Sequence, residues 1–284
     1  MKQYPVQGAG LGLRRSFLDE ALDLPDGRVD FWEVAPENWM GVGGVFGRKF
    51  RAMTARHPFV CHGLSLSIGG PDPVDEQFLQ DLKVFLDKHN IRAYTEHLSY
   101  SSAGGHLYDL MPIPFAEDAV HYVAQRIRRV QEILERRIGM ENVSYYAAPD
   151  KDMEEIDFLN RVITEADCGL HLDINNIYVN SINHGYDPHG FIDRLHAECI
   201  VYCHMAGHYV EAGDLRVDTH GADIIDPVWD LLDYAYQRFG VFPTLLERDF
   251  NIPPLDQLLG EVMTITGYHH KHLGGQHAKQ LAQR

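Results

Sequence analysis

Eight short apolar or alternating runs recur along the chain, most of them followed by a segment of helical periodicity. They are AGLGLR (9–14), VDFWEVAP (29–36), PFVCHGLSLS (58–67), IRAYTEHLSY (91–100), RIGMENVS (137–144), CGLHLDIN (168–175), CIVYCHMAG (199–207) and FPTLLERD (242–249). Between several of them lie DEQFLQDLKVFLDKHN, AEDAVHYVAQRIRRVQEILERR, MEEIDFLNRVITEADC, PHGFIDRLHAE and DPVWDLLDYAYQRFG, with apolar residues at i, i+3, i+4 and i+7. Asp75 and Asp226 stand where helix caps are expected. A strand–helix unit repeated at about 30 residues or more builds a parallel sheet covered by helices, and eight such units predict a closed (β/α)8 barrel. An open doubly wound sheet is the alternative, but GLGLRR lacks the spacing of a dinucleotide fingerprint. With no linker or composition break, residues 1–265 read as one barrel domain and residues 266–284 as a flexible, His-rich tail.

Charge and composition remove several classes of function. A net charge of -16 disfavours a protein that grips nucleic acid through its phosphates. No apolar run approaches the roughly 20 residues of a membrane span, and MKQYPVQGAG lacks a secretory signal pattern, so the expected location is the cytoplasm. The four cysteines, Cys61, Cys168, Cys199 and Cys203, form no C-x-x-C pair and read as reduced core residues. The 17 histidines outnumber the 14 tyrosines, and their placement is the informative feature.

In a barrel of this kind the chemistry sits at the C-terminal ends of the strands. Those ends carry His62, His97, Glu141, Asp173, His204 and Glu247, and the loop after the seventh strand adds Asp218 and His220. Any one of them alone would read as a hydrogen-bonded core residue or a solvated lip. Brought into one mouth, they form a polar cluster of severe cost unless cations neutralise it. Mixed imidazole and carboxylate donors suit zinc, iron or manganese, and their number predicts two or three clustered ions bridged by carboxylates such as Glu141. His171 should lie deeper and orient a ligand, while Glu96 should face away from the mouth. Asn38, in APENW, and Arg248, after Glu247, are candidate catalytic residues in the outer sphere of the site.

The order of ligands is similar to that of endonuclease IV-like barrels of the xylose isomerase superfamily. One place departs from it: Asn176 stands where that pattern has a His after D-x-x, so His184 is expected to complete the coordination of a loosely held third ion. More closely, the chain resembles the multinuclear non-haem iron-dependent oxidases that modify cysteines in ribosomally made peptides. The matching segments are GLGLR, FWEVAPENWMGVGG, HGLSLSIGG, TEHLSYSS, MENVSYY, HLDINNIYVNSINHG, HMAGH, DTHG and LLERD, spread over residues 10–249. The resemblance implies two or three iron ions (zinc or manganese being possible substitutes), dioxygen as oxidant, a cysteine-containing precursor peptide as substrate, and a small partner protein that recognises the leader. The rival readings are a zinc- or manganese-dependent phosphodiesterase of the endonuclease IV type, a sugar isomerase or epimerase, and a metal-storage protein.

Overall fold

Eight parallel strands close on themselves in chain order in the computed structural model, which describes residues 3–147 and 151–282. They are β1 (Ala9–Gly12), β2 (Phe31–Val34), β3 (Phe59–His62), β4 (Tyr94–His97), β5 (Gly139–Glu141), β6 (Gly169–Asp173), β7 (Ile200–Met205) and β8 (Thr244–Leu246). Each pairs in parallel with its neighbours in sequence, and β8 returns to β1 through Ala9–Thr244 and Leu11–Leu246. The fold is the predicted barrel, and every strand falls inside its predicted run.

Successive side chains on a strand point to opposite faces, so each strand carries two separate rows. The outward rows, including Trp32, Phe59, Tyr94, Met140, Leu170 and Leu246, join the large core beneath the helices. The inward rows begin with Phe31, Val60, Ala93, Tyr202 and Leu245, which pack with Val6 into a separate apolar floor. Two positions further along, the same rows hold Glu33, His62, Thr95, His204 and Glu247. The barrel is thus dry at its base and ionisable at its mouth. β1 supplies no bulk here: a Cβ on Gly10 would sit 2.6 Å from the Phe31 ring, so glycine is what lets Phe31 fill the floor.

Nine helices occur among the described residues: α1 (Leu18–Asp23), α2 (Gly44–Arg56), α3 (Glu76–Lys88), α4 (Glu117–Leu134), α5 (Glu155–Ala166), α6 (Ile174–His184), α7 (Pro188–Asp193), α8 (Asp226–Phe239) and α9 (Leu255–Ala282). Asp75 caps α3 by accepting from Phe78 N at 2.9 Å, whereas Asp226 is the first helical residue of α8 and does not cap it. Helix α9 runs across the boundary expected at residue 266. Its His269 is buried against Tyr236 Oη at 2.8 Å, and residues 283–284 lie outside the described part. Two hairpins, Tyr100–Ser102 with His106–Met111 and Tyr209–Ala212 with Leu215–Val217, rise after β4 and β7 on the side of the mouth. The cysteines form no disulfide; Cys61, Cys168 and Cys203 are buried. No described helix is long and apolar enough to cross a membrane.

Candidate metal centre

The inward rows converge at the mouth. His62 Nε2 lies 3.1 Å from His97 Nε2, and the two are 3.3 and 3.4 Å from Glu141 Oε2. Glu141 Oε1 is 3.4 Å from His204 Nδ1, which is itself 2.8 Å from Glu247 Oε2. His220 Nδ1 approaches the same Glu247 oxygen at 3.1 Å. Four sets of donors each gather within 4.8 Å: Glu33, His171 and His204; His62, Glu141 and His171; Glu141, Asp173 and His204; Asp173, His220 and Glu247. Neighbouring sets share members, so they describe one extended centre with more than one focus.

The bonding within this centre is incomplete in a particular way. Both ring nitrogens of His171, Asp173 Oδ2 and Asn176 Oδ1 are buried without a hydrogen bond. Each such group costs about 1–3 kcal/mol if left so. His204 Nδ1 and His220 Nε2 lie 2.8 and 2.7 Å from the carboxylates of Glu247 and Asp218, yet neither makes a hydrogen bond. Close donors without hydrogen-bond direction fit a shared cation, and the set of imidazoles and carboxylates fits a divalent transition metal.

Electrostatics agree. Burial, with His204 and His62 nearby, holds the His171 imidazole well below its ordinary range, and burial beside Glu141 pushes the Asp173 carboxyl well above its own. Burial opposes charge on His204, but Glu247 and Glu33 hold it well above the usual value; burial also opposes charge on Glu247 and Glu141, which His204 and His62 keep well below theirs. His97 rises to about 9, against burial, beside Glu96 and Glu141. Metal binding here therefore displaces protons from imidazole.

Helix α6 sets the far side of the centre, and its asparagines account for the local sequence. Asp173 does two things: Oδ1 caps α6 by accepting from Asn176 N at 2.6 Å, and Oδ2 stays unbonded at the centre. The Asn176 amide donates to Asn142 O at 3.1 Å, leaving Oδ1 free. Asn175 donates to Asp218 Oδ1 at 3.0 Å and bonds His208 Nδ1 through Oδ1 at 2.8 Å. Asn183 exchanges two bonds with the backbone of Arg216 in the second hairpin. Asn180 receives Tyr145 N and donates to Val143 O and Glu155 Oε1. The polar run after β6 thus ties both flanking loops to the barrel.

This arrangement corrects two expectations. His184 closes α6, about 16 Å along the helix from its start. It stacks on Tyr145 at 4.0 Å, with Nε2 2.8 Å from the Tyr145 carbonyl, so it is not part of the centre. Arg248 alternates outward from Glu247 and is buried in ion pairs with Asp223 and Glu261, both at 2.9 Å, so it anchors α9 and does not face substrate. Arg248→Met should therefore cost about 3 kcal/mol in urea unfolding, by leaving Glu261 unpaired, with unchanged metal content. A loss of metal would restore a direct role.

Asp218 sits at the edge of the centre, held by Ser144 and Asn175, and belongs to none of the four converging sets. Asn38 is exposed and lines a cavity of about 360 Å³ that opens from His62, His97, His220 and Glu247 to solvent. Glu96 faces outward, accepting from Leu66 N and His97 N, as alternation requires.

Beyond the centre, Glu155 is buried beside Asn180 and Tyr145, and burial raises its carboxyl to about 7. The folded state then binds a proton that the unfolded chain releases near 4.5, so stability contributed below about pH 4.5 is lost as pH rises towards 7. The loss is on the order of 3 kcal/mol. The stability gained by Glu155→Gln over the parent should grow by that amount between pH 4.5 and 8 in urea titrations; a difference independent of pH contradicts it.

The profile of the family described as RiPP precursor modification enzyme MbnB/TglH/ChrH matches residues 8–270. The chain belongs to this family. A UPF0276 protein of Shewanella loihica is 60% identical to it over 268 residues, covering 94% of this chain and 96% of that protein. Among solved structures, D-psicose 3-epimerase from Clostridium cellulolyticum matches with a TM-score of 0.62 at 12% identity, covering 94% of this chain and 99% of the other. Endonuclease IV from Thermus thermophilus matches with a TM-score of 0.59 at 14% identity, covering 93% and 99%. Identities this low carry the xylose isomerase-like barrel and nothing of the activity.

Membership of the MbnB/TglH/ChrH family bears out the resemblance to enzymes that modify ribosomally made precursor peptides. Glu33 is the donor that sequence reasoning missed. It lies 2.9 Å from His204 Nε2 and accepts from Tyr202 Oη at 2.5 Å. Its signal was a single carboxylate inside FWEV, in register with inward Phe31.

Proposed function

We propose that this protein is a multinuclear non-haem iron oxidase that uses dioxygen to modify cysteine residues of a ribosomally made precursor peptide. The observation that carries the reading is the sharing of Glu141, His171, Asp173 and His204 between neighbouring donor sets. A mononuclear site needs no such overlap. Four buried carboxylates, Glu33, Glu141, Asp173 and Glu247, also match the charge of two divalent ions. His62, His97, Glu141, Asp173, His204, His220 and Glu247 would hold two or three ions, with Glu33 and His171 joining them and Asn176 offering its free oxygen. Asp218, 2.7 Å from His220 Nε2, would share a cation with that ring at the edge of the centre. Iron bound there would supply open positions for a cysteine sulfur and for dioxygen.

The chain's own residues do the rest. Thr95 Oγ1, 2.9 Å from His62 Nδ1, fixes that ring, and Tyr202 Oη, 2.9 Å from Thr95 Oγ1, fixes Thr95. The apolar floor keeps water from the base of the centre. Asn38 stands at the entrance, where a peptide backbone would pass. A small partner protein would present the leader, and the cytoplasm is the expected site of action. The acidic balance of the chain speaks against an endonuclease, whose rim would need to be basic.

The test is anaerobic purification with elemental analysis, followed by dioxygen and a cysteine-containing peptide encoded beside the gene. Two or more irons per chain and an oxygen-dependent change in peptide mass are expected. Zinc alone, with nicking of abasic DNA, overturns the reading.

A further inference from the structure

Two consecutive arginines follow β1, and they meet opposite fates. Arg14 is neutralised by the rim of the centre: its Nη2 donates to Asp249 Oδ1 at 2.5 Å and lies 3.9 Å from Glu247. Arg15 has no carboxylate within 4.0 Å among the described residues. It donates through Nη2 to the carbonyl of Asn38, and its guanidinium lies over the rings of Trp39 at 5.1 Å and Phe46 at 5.7 Å. Trp39 is itself buried and stacked on Phe50 at 4.4 Å, so the platform is fixed. In a chain of net charge -16 with 41 carboxylates, Arg15 is thus held in place by a carbonyl and two rings and not by an acidic group. Its place is equally specific, for Arg15 lines the same cavity of about 360 Å³ as His62, His97, His220 and Glu247.

We infer that Arg15 takes a carboxylate of the peptide, from an acidic side chain or from the chain end, and so selects which cysteine reaches the centre. This rests on the peptide reading of the site given above. The geometry supports it in three ways. A guanidinium carries five N–H donors, and the bond to Asn38 leaves enough for a two-pronged grip on a carboxylate. Stacking on Trp39 reduces the rotamer freedom that binding would otherwise have to remove. The other arginine of the cavity, Arg14, is already paired with Asp249 and Glu247, so the one arginine free of a carboxylate partner among the described lining residues fixes where a negative group of the peptide can sit.

The test uses iron-loaded protein under anaerobic conditions and four synthetic ten-residue peptides with one cysteine near the C-terminus. One has a free terminal carboxylate, one is amidated, one is amidated with Asp next to the cysteine, and one is amidated with Asn there. Titrations should show a preference for one of the carboxylate-bearing peptides, and which one it is separates chain end from side chain. Arg15→Gln should weaken that peptide by roughly tenfold or more and erase the preference. Arg15→Lys should fall between, because a point charge keeps attraction but loses the fork. In oxygen-dependent turnover, KM should rise by more than kcat falls. Equal affinity for all four peptides, or a preference that survives Arg15→Gln, overturns the inference. If the binding preference holds but no peptide changes mass with dioxygen, the oxidase reading fails and the role of Arg15 stands.

Discussion

Glu141→Ala should leave at most one metal ion per chain while the barrel stays folded. Glu141 belongs to two of the converging sets, with His62 and His97 3.3 and 3.4 Å from one oxygen and His204 3.4 Å from the other. Removing it takes a charged donor from two foci at once and leaves three imidazoles facing each other without a carboxylate between them. Loss of a residue that merely orients a ligand costs about 10–100-fold in metal affinity, so a bridging donor should cost well over a hundredfold, and turnover should fall with it. The apolar floor of Phe31, Val60, Tyr202 and Leu245 forms without Glu141, which is why folding should survive. Elemental analysis beside circular dichroism reads both quantities. Full metal content in a folded Glu141→Ala protein contradicts the assignment.

Metal removal should be visible in stability as well as in activity. Burial discharges His171 and Asp173 in the metal-free centre and leaves both His171 nitrogens and Asp173 Oδ2 unbonded. Ions that bind the folded chain alone stabilise it by about 4 kcal/mol at a thousandfold excess over Kd. For a domain of this size that is a rise of about 8 °C in Tm, at roughly 2 °C per kcal/mol. Anaerobic calorimetry before and after chelation should show that drop, recovered on adding ferrous iron. A Tm indifferent to chelation would mean that the donors satisfy one another without a cation.

The barrel was legible because its interior demands a repeated pattern. A strand such as FVCH can turn Val60 and His62 inward only if Phe59 and Cys61 go outward, and β2, β7 and β8 repeat the logic with Phe31, Tyr202 and Leu245 first and Glu33, His204 and Glu247 two positions on. That is why His62, His97, Glu141, Asp173 and His204 could be read from strand ends. Glu33 obeys the same rule but stands inside the otherwise apolar FWEV, next to the more visibly polar PEN. Glu37 in that segment is bound to Leu64 N and Ser65 N.

The misread residues depend on tertiary contacts that no local pattern carries. Asparagine is a weak helix former, yet INNIYVNSINH is helical because Asn175, Asn180 and Asn183 find partners on the two flanking loops. Once it is a helix, His184 is carried three turns away from Asp173. Arg248 was placed beside the chemistry by its neighbour Glu247, but alternation sends it to Glu261 on α9.

The most direct measurement is anomalous diffraction at the iron edge from crystals grown anaerobically from protein purified with its native metal. The account predicts two or three peaks, one between His62, His97 and Glu141 and another among Asp173, His220 and Glu247, with His204 beside them. A single peak, or none at the iron edge, would contradict a multinuclear iron centre.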